Sequence, residues 1–148
     1  MNSFKEIHTS FLATDAFLSE RESAGRTAHR RAHWAKLKTY NGHAYFVMLF
    51  AKLEQHIDNL CDTLINKKRA SAKWKLRRPW DSVDLERIPF MRKVARLTDK
   101  GRATYALVDE YYRIRRHIAH GNSATVAPIA LPVVITDLKD IAKELNGR

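Results

Sequence analysis

Apolar residues recur three and four positions apart along much of the chain, and this spacing predicts amphipathic α-helices that bury one face. The first series runs from Phe4 to Leu18 and predicts a helix over residues 3–23 that ends near Gly25. A second helix is expected to begin around Arg30. Glycine is common just past the end of a helix, so Gly25 marks a boundary between these two elements.

The most regular apolar stripe lies in the centre of the chain and predicts a long core helix. Its members are Leu49, Phe50, Leu53, Ile57, Leu60, Cys61 and Leu64. Asn41-Gly42 is expected to interrupt the chain before this helix, because an Asn-Gly pair is typical of turns. Cys61 belongs to the stripe and is interpreted as a core residue.

Residues 67–80 are predicted to form a loop between the core helices. Proline fixes its own φ and disfavours helical geometry in the residue before it, so Pro79 argues against a helix there. A connection of this length itself hints at function. Beyond the loop, Asp81 or Ser82 is expected to cap a shorter helical region that Pro89 breaks.

A second core helix is predicted over Arg102–His120, with Gly101 before it and Gly121-Asn122 as its stop signal. Val133-Val134-Ile135 is interpreted as an extended lead-in, because no second strand is evident to pair with it. Thr136 is expected to cap the last helix.

The pattern as a whole predicts an all-α fold, a four- to five-helix bundle that forms a single domain over residues 1–148. Cys61 is the only cysteine, which excludes an intramolecular disulfide and cysteine-based zinc sites. Nowhere do about 18 apolar residues follow one another, as a membrane helix requires. We therefore expect a soluble, cytoplasmic protein with no membrane contact.

Positive charge is concentrated in one part of the chain. The formal net charge is +11, and residues 67–102 hold 13 Lys and Arg against four Asp and Glu. An acid-free run in that part predicts RNA contacts, because cations neutralise phosphates and indole faces stack on bases. The candidate RNA-binding residues are Lys67, Lys68, Arg69, Lys73, Trp74, Lys75, Arg77 and Arg78. The alternatives are a solvated basic surface, and a role for Trp74 or Trp80 in anchoring the loop to the core.

Residues 109–122 read Asp-Glu-Tyr-Tyr-Arg-Ile-Arg-Arg-His-Ile-Ala-His-Gly-Asn and carry the candidate chemistry. Arg115 and His120 form an Arg-x4-His pattern that ends in Ala-His-Gly, at the predicted end of a core helix. This arrangement resembles the signature of the HEPN family of helical domains. Two positions depart from the family pattern. Arg116 stands where Asn, Asp or His is common, and Asn122 stands where the toxins paired with nucleotidyltransferases have tyrosine.

The resemblance implies a metal-independent endoribonuclease that cleaves RNA through attack by the RNA's own 2′-hydroxyl, in defence or toxin-like regulation. No metal or cofactor is required. The catalytic candidates in this sequence are Arg115 and His120, and the auxiliary candidates are Arg116, His117, Glu54 and Tyr112. The resemblance also implies a homodimer whose two Arg/His pairs line one cleft, and it raises an antitoxin or regulatory protein as a further partner.

Helix geometry separates the two neighbouring arginines. At about 100° per residue, Arg115 lies roughly 70° from the centre of the Leu107–Ile118 core stripe, and Arg116 lies nearly opposite that stripe. Arg115 is therefore expected to be half-buried and to need a partner, and a structural ion pair with Glu54 is the alternative to catalysis. His120 lies about 140° from Arg115, so the two converge only through a distorted helix end or a second subunit.

Two other functions stay open from the sequence. The first is a catalytically inactive HEPN module that dimerises or binds RNA, and the second is a basic helical DNA-binding protein, favoured by charge alone. His117 is expected to lie at the surface. The carboxylate row of Glu54, Asp58 and Asp62 is interpreted as a solvated helix face in preference to a magnesium site.

Overall fold

The structure is a computed structural model that describes residues 2–146, and all regular elements in that range are helical. The α-helices are α1 (Asn2–Ser23), α2 (Ala28–Arg69), α3 (Trp74–Asp81), α4 (Phe90–Leu97), α5 (Ala103–Ala119) and α6 (Leu131–Asn146). Single 3₁₀ turns lie at Leu85–Arg87 and Ser123–Thr125. The predicted all-α class is confirmed, with six α-helices in the described range instead of four or five. Within that range, no helix has the length and apolar character needed to cross a bilayer.

The chain divides into two compact units. The first comprises the residues up to Lys52 together with Tyr111–Lys139, and the second comprises Leu53–Glu110 together with the residues from Asp140 onward. Each unit takes part of α2, part of α5 and part of α6. The single-domain organisation stays a prediction.

An aromatic cluster forms the core of the first unit. Phe46 and Phe50 on α2 are fully buried, and their rings stack with centroids 6.2 Å apart. The ring of Tyr111 on α5 meets Phe46 edge-on at 5.9 Å, and its hydroxyl donates a hydrogen bond to the carboxylate of Asp137 on α6. Edge-to-face and offset aromatic pairs stabilise a core beyond the area they bury. This cluster therefore fixes α5 against α2 and α6 where the candidate chemistry begins.

A buried histidine ties down the segment that follows α5. His43 on α2 is 2% exposed, and its Nε2 donates to the carbonyl oxygen of Ala127 at 3.3 Å. A buried polar group is costly unless it is hydrogen-bonded, so this contact holds the 3₁₀ turn and the chain after it in one place.

The second unit packs α4 against the C-terminal half of α2. Cys61 is fully buried, and its Sγ donates to the carbonyl oxygen of Lys93 at 3.5 Å. Burial, and then the charge of Asp58, raise the pKa of the Cys61 thiol to about 11, so the thiol is protonated at neutral pH. The ammonium of Lys93 lies 2.8 Å from a carboxylate oxygen of Asp58. The prediction that Cys61 is a core residue is confirmed.

The predicted interruption at Asn41-Gly42 is wrong, since α2 runs without a break for 42 residues. A glycine inside a helix costs only about 1 kcal/mol relative to alanine. Gly42 is buried, and the neighbouring His43 and Phe46 bury their side chains from the same stretch. Tertiary packing therefore outweighs the local turn preference.

The predicted loop over residues 67–80 is also wrong in most of its length. α2 continues to Arg69 and α3 begins at Trp74, so the connection is only four residues long. Pro79 lies near the C-terminal end of α3, an eight-residue helix, where its missing N–H removes a single intrahelical bond. The carbonyl of Lys73 accepts from the N–H groups of both Leu76 and Arg77, at 3.0 and 3.1 Å, which closes the first turn.

The predicted helix caps lie elsewhere. Asp84, and not Asp81 or Ser82, accepts the N–H of Glu86 at 3.1 Å and starts the 3₁₀ turn, while Asp81 is the last residue of α3. The expected break at Pro89 is confirmed, because α4 begins at the next residue.

The extended lead-in predicted at residues 133–135 is wrong, since α6 begins at Leu131. Pro132 is tolerated there because N–H groups in the first turn of a helix have no intrahelical partner. Thr136 lies inside the helix, where its hydroxyl donates to the carbonyl of Pro132 at 3.1 Å. It therefore does not cap α6.

One arginine of the basic segment holds α2 to the chain after α3. The Nε of Arg69 donates to the carbonyl of Trp80 at 3.0 Å, and its Nη2 donates to that of Val83 at 2.6 Å. Replacing Arg69 by methionine should lower the free energy of unfolding by about 1–3 kcal/mol, because two part-buried carbonyls lose a charged donor. Arg69→Lys should not restore the lost stability, since a lysine ammonium lacks the planar, forked guanidinium that donates to both carbonyls.

Urea denaturation measures this loss, and the matched control is Lys68→Met, because Lys68 is the adjacent cation and is exposed. Arg69→Met unfolding at the same urea concentration as the Lys68 variant would show that the two hydrogen bonds contribute nothing.

Candidate active site

The end of α5 is built by a glycine in the left-handed conformation. Gly121 has φ of +80°, its N–H bonds to the carbonyl of Ile118 at 3.2 Å, and the N–H of Asn122 bonds to the carbonyl of His117 at 3.0 Å. This pair of bonds is the Schellman motif, which satisfies carbonyls left over at a helix end. The predicted stop at Gly121-Asn122 is confirmed, and His120 stands between the last helical residue and the turn.

A pocket of about 320 Å³ opens at this helix end. It is lined by Arg113, Arg116, His117, His120 and Asn122. The lining therefore combines two guanidiniums, which are hydrogen-bond donors only, with two imidazoles, whose ring nitrogens can accept or donate a proton. Such a set can bind a phosphodiester and can both accept and donate a proton at its oxygens.

Sequence reasoning missed Arg113 and Asn122 as members of this pocket. Arg116, His117 and His120 follow Arg113 by three, four and seven residues, a spacing that places all four on one side at the end of α5. That spacing is the signal that could have identified Arg113, but the apolar stripe of the same helix has the same period. Asn122 enters the pocket through the turn at Gly121, which no helical periodicity predicts.

Arg116 contacts an aromatic ring that packs against the core. The ring of Tyr112 stacks on the buried ring of Phe50 at 6.3 Å, and the guanidinium carbon of Arg116 lies 5.9 Å from the centre of the Tyr112 ring. A cation over a tyrosine face is attracted by the ring quadrupole. Tyr112 therefore contacts Arg116, and its auxiliary role in catalysis stays a prediction.

The burial predicted for the two arginines and for His117 is confirmed. Arg115 is half-buried, whereas Arg116 and His117 are exposed. Arg115 is not among the residues that line the pocket, which gathers Arg116 and both histidines. Its catalytic role and its ion pair with the half-buried Glu54 stay predictions.

The predicted RNA-binding residues have different surroundings. Lys67, Lys68, Lys73, Trp74, Lys75 and Arg78 are exposed. The Nε of Arg77 lies 3.5 Å from a carboxylate oxygen of Asp81 in a surface ion pair. Arg69 is half-buried and bonded to two carbonyls, so it has a structural role that the sequence did not predict.

Two carboxylates of the row on α2, those of Asp58 and Asp62, have side-chain partners. Asp58 pairs with Lys93, and Asp62 accepts a hydrogen bond from the side-chain amide of Asn66 at 3.0 Å. In the part of the chain that the structure describes, no three His, Cys, Asp or Glu side chains gather as a metal site would require.

In comparison with known proteins, no family model, curated protein or solved structure matches this chain.

Proposed function

We propose that this protein is a metal-independent endoribonuclease whose active site is the pocket at the C-terminal end of α5. The observation that carries the proposal is the presence of two imidazoles and two guanidiniums around one space of about 320 Å³. Cleavage of RNA by its own 2′-hydroxyl needs a base, an acid and a positive charge beside the phosphate. Those three requirements are met within this lining.

The proposed reaction is a transesterification. One imidazole removes the proton of the 2′-hydroxyl, and the resulting oxygen attacks the adjacent phosphorus. The bond from phosphorus to the 5′-oxygen breaks, and the second imidazole, as imidazolium, gives its proton to that leaving oxygen. The products are a 2′,3′-cyclic phosphate and a 5′-hydroxyl. Arg116 stabilises the charge that develops on the non-bridging oxygens.

The segment from Arg115 to His120 resembles the HEPN signature, and this resemblance supports the same reaction. On that resemblance, Arg115 is the catalytic arginine, and the biological role is RNA cleavage in the cytoplasm during defence or toxin-like regulation. The pocket adds His117 as the partner of His120, a role that the resemblance does not assign. Regulation by an antitoxin or a similar protein belongs to the same proposal.

A cleavage assay tests the proposal. The purified full chain is incubated with labelled RNA in excess chelator, and the products are analysed for the cyclic phosphate. Cleavage with that product supports the proposal. RNA binding without cleavage favours the inactive RNA-binding module, and preference for duplex DNA favours the DNA-binding protein.

We also propose a homodimer across the helix that bears Arg115 and His120, as the resemblance implies. Arg115 lies outside the pocket lining of its own chain. In the proposed dimer, the second copy supplies its own Arg115 to that pocket. Sedimentation equilibrium at assay concentrations should give twice the chain mass. A monomer with full RNase activity would refute the shared site and leave the pocket of one chain as the active site.

A further inference from the structure

An exposed tryptophan begins α3 in the second unit. Trp74 is 55% exposed, and the guanidinium carbon of Arg78 lies 5.2 Å from the centre of its ring. A cation over one face of an indole holds the ring in a defined orientation. More than half of this large apolar side chain nevertheless faces water, at a free-energy cost that a bound ligand would relieve.

The second tryptophan of the segment has a different role. Trp80 is half-buried, Arg96 lies over its ring at 5.2 Å, and its carbonyl accepts the hydrogen bond from Arg69. It therefore anchors the end of α3 to α2 and α4 within the second unit. The sequence left two roles open for these tryptophans, base stacking and anchoring of the segment. Trp80 has the contacts of an anchor, whereas Trp74 presents its ring to solvent.

The charges beside Trp74 favour a polyanion. Lys73 and Lys75 flank it in sequence and are exposed, and Lys67 and Lys68 are exposed in the last turn of α2. The acidic residue of α3, Asp81, is paired with Arg77. An aromatic face between exposed cations is the arrangement with which proteins bind single-stranded nucleic acid, through base stacking and phosphate contacts.

A membrane surface fits this segment less well. An interfacial helix needs a continuous apolar face. The exposed apolar side chains of α3 are Trp74 and Leu76, which are two residues apart and therefore lie about 200° apart around the helix axis. They cannot enter a bilayer together, whereas a single ring is enough to stack on one base.

We propose that Trp74 stacks on an unpaired base of single-stranded RNA while Lys73 and Lys75 contact the flanking phosphates. The choice of RNA over DNA rests on the proposed function, but the site does not use the α5 pocket. Bases inside a duplex already stack on their neighbours, so the site should select single strands. It thereby identifies single-stranded RNA as the substrate class.

Fluorescence anisotropy with a labelled 2′-O-methyl RNA oligonucleotide of about 12 nucleotides tests this site on the full chain. The probe lacks the 2′-hydroxyl nucleophile, so binding is measured without cleavage. Trp74→Ala should weaken binding about ten-fold, and Trp74→Phe should recover part of the loss. The matched control is Leu76→Ala, which removes an equally exposed apolar side chain from the same helix and should bind like the unchanged protein.

Three results would each overturn the site. The first is Trp74→Ala binding within about two-fold of the unchanged protein while its circular dichroism is native. The second is equal affinity for the same sequence as a duplex. The third is Trp74-dependent binding to vesicles of anionic phospholipid with no binding to the oligonucleotide. None of these depends on cleavage, so failure of the α5 pocket as an RNase site would be recognised separately, in the chelator assay.

Discussion

His120→Ala should reduce RNA cleavage by about 10²- to 10⁴-fold, and His117→Ala should do the same, because each removes one proton-transfer group from the pocket. If one imidazole acts as base and the other as acid, the double variant should be little slower than either single variant. When two catalytic groups act together, removing one of them already abolishes most of the rate enhancement that the pair provides.

His29→Ala is the matched control for these variants. His29 is exposed on α2 and does not line the pocket, so its removal should leave the rate unchanged. Full cleavage by His120→Ala with native circular dichroism would refute the pocket as the active site. Loss through His120→Ala but not His117→Ala would instead restrict the proton chemistry to His120 and require its partner from elsewhere.

Two arginine variants test which arginine is catalytic: Arg115, as the family resemblance implies, or Arg116, which lines the pocket. If the residues that line the pocket carry out the reaction, Arg116→Ala should lower the cleavage rate more than Arg115→Ala. If the HEPN-type assignment is right, Arg115→Ala should cause the larger loss. Stability must be measured in parallel, because Arg115 is half-buried and its replacement disturbs packing as well.

Helix α5 was predictable because three independent signals agree on it. Its apolar stripe has helical spacing, Gly101 precedes it, and Gly121 supplies the positive φ that ends it. α2 and α3 were not predictable in the same way. Gly42 and Pro79 are local signals against a helix, and each is overruled by burial or by a position near a helix end, which only the folded chain determines.

The position of the candidate pocket along the chain was predictable, but the full set of residues that line it was not. The pattern placed Arg115, Arg116 and His120 at the end of a helix and gave the burial of both arginines correctly. It did not predict that the turn after Gly121 brings Asn122 into the same pocket as His117 and His120. Turn geometry depends on backbone conformation, which side-chain spacing does not encode.

Phe46→Ala should lower the free energy of unfolding by about 3–5 kcal/mol, the usual cost of removing a fully buried aromatic ring. Phe46 is 0% exposed and contacts both Phe50 and Tyr111, so its loss leaves a cavity between α2 and the first residues of α5 in the first unit. Typical domains are stable by only about 5–15 kcal/mol. At about 2–4 °C per kcal/mol for a chain of this size, the midpoint of thermal unfolding should fall by roughly 10 °C.

Two variants control for the chemistry of that change. Phe17→Ala makes the same substitution at a site that is 48% exposed, and should cost less than about 1 kcal/mol. Phe46→Leu keeps most of the buried volume and should cost less than about 1.5 kcal/mol, because volume-conserving changes are tolerated best. Phe46→Ala unfolding at the temperature of Phe17→Ala would contradict the aromatic cluster as the support of α5.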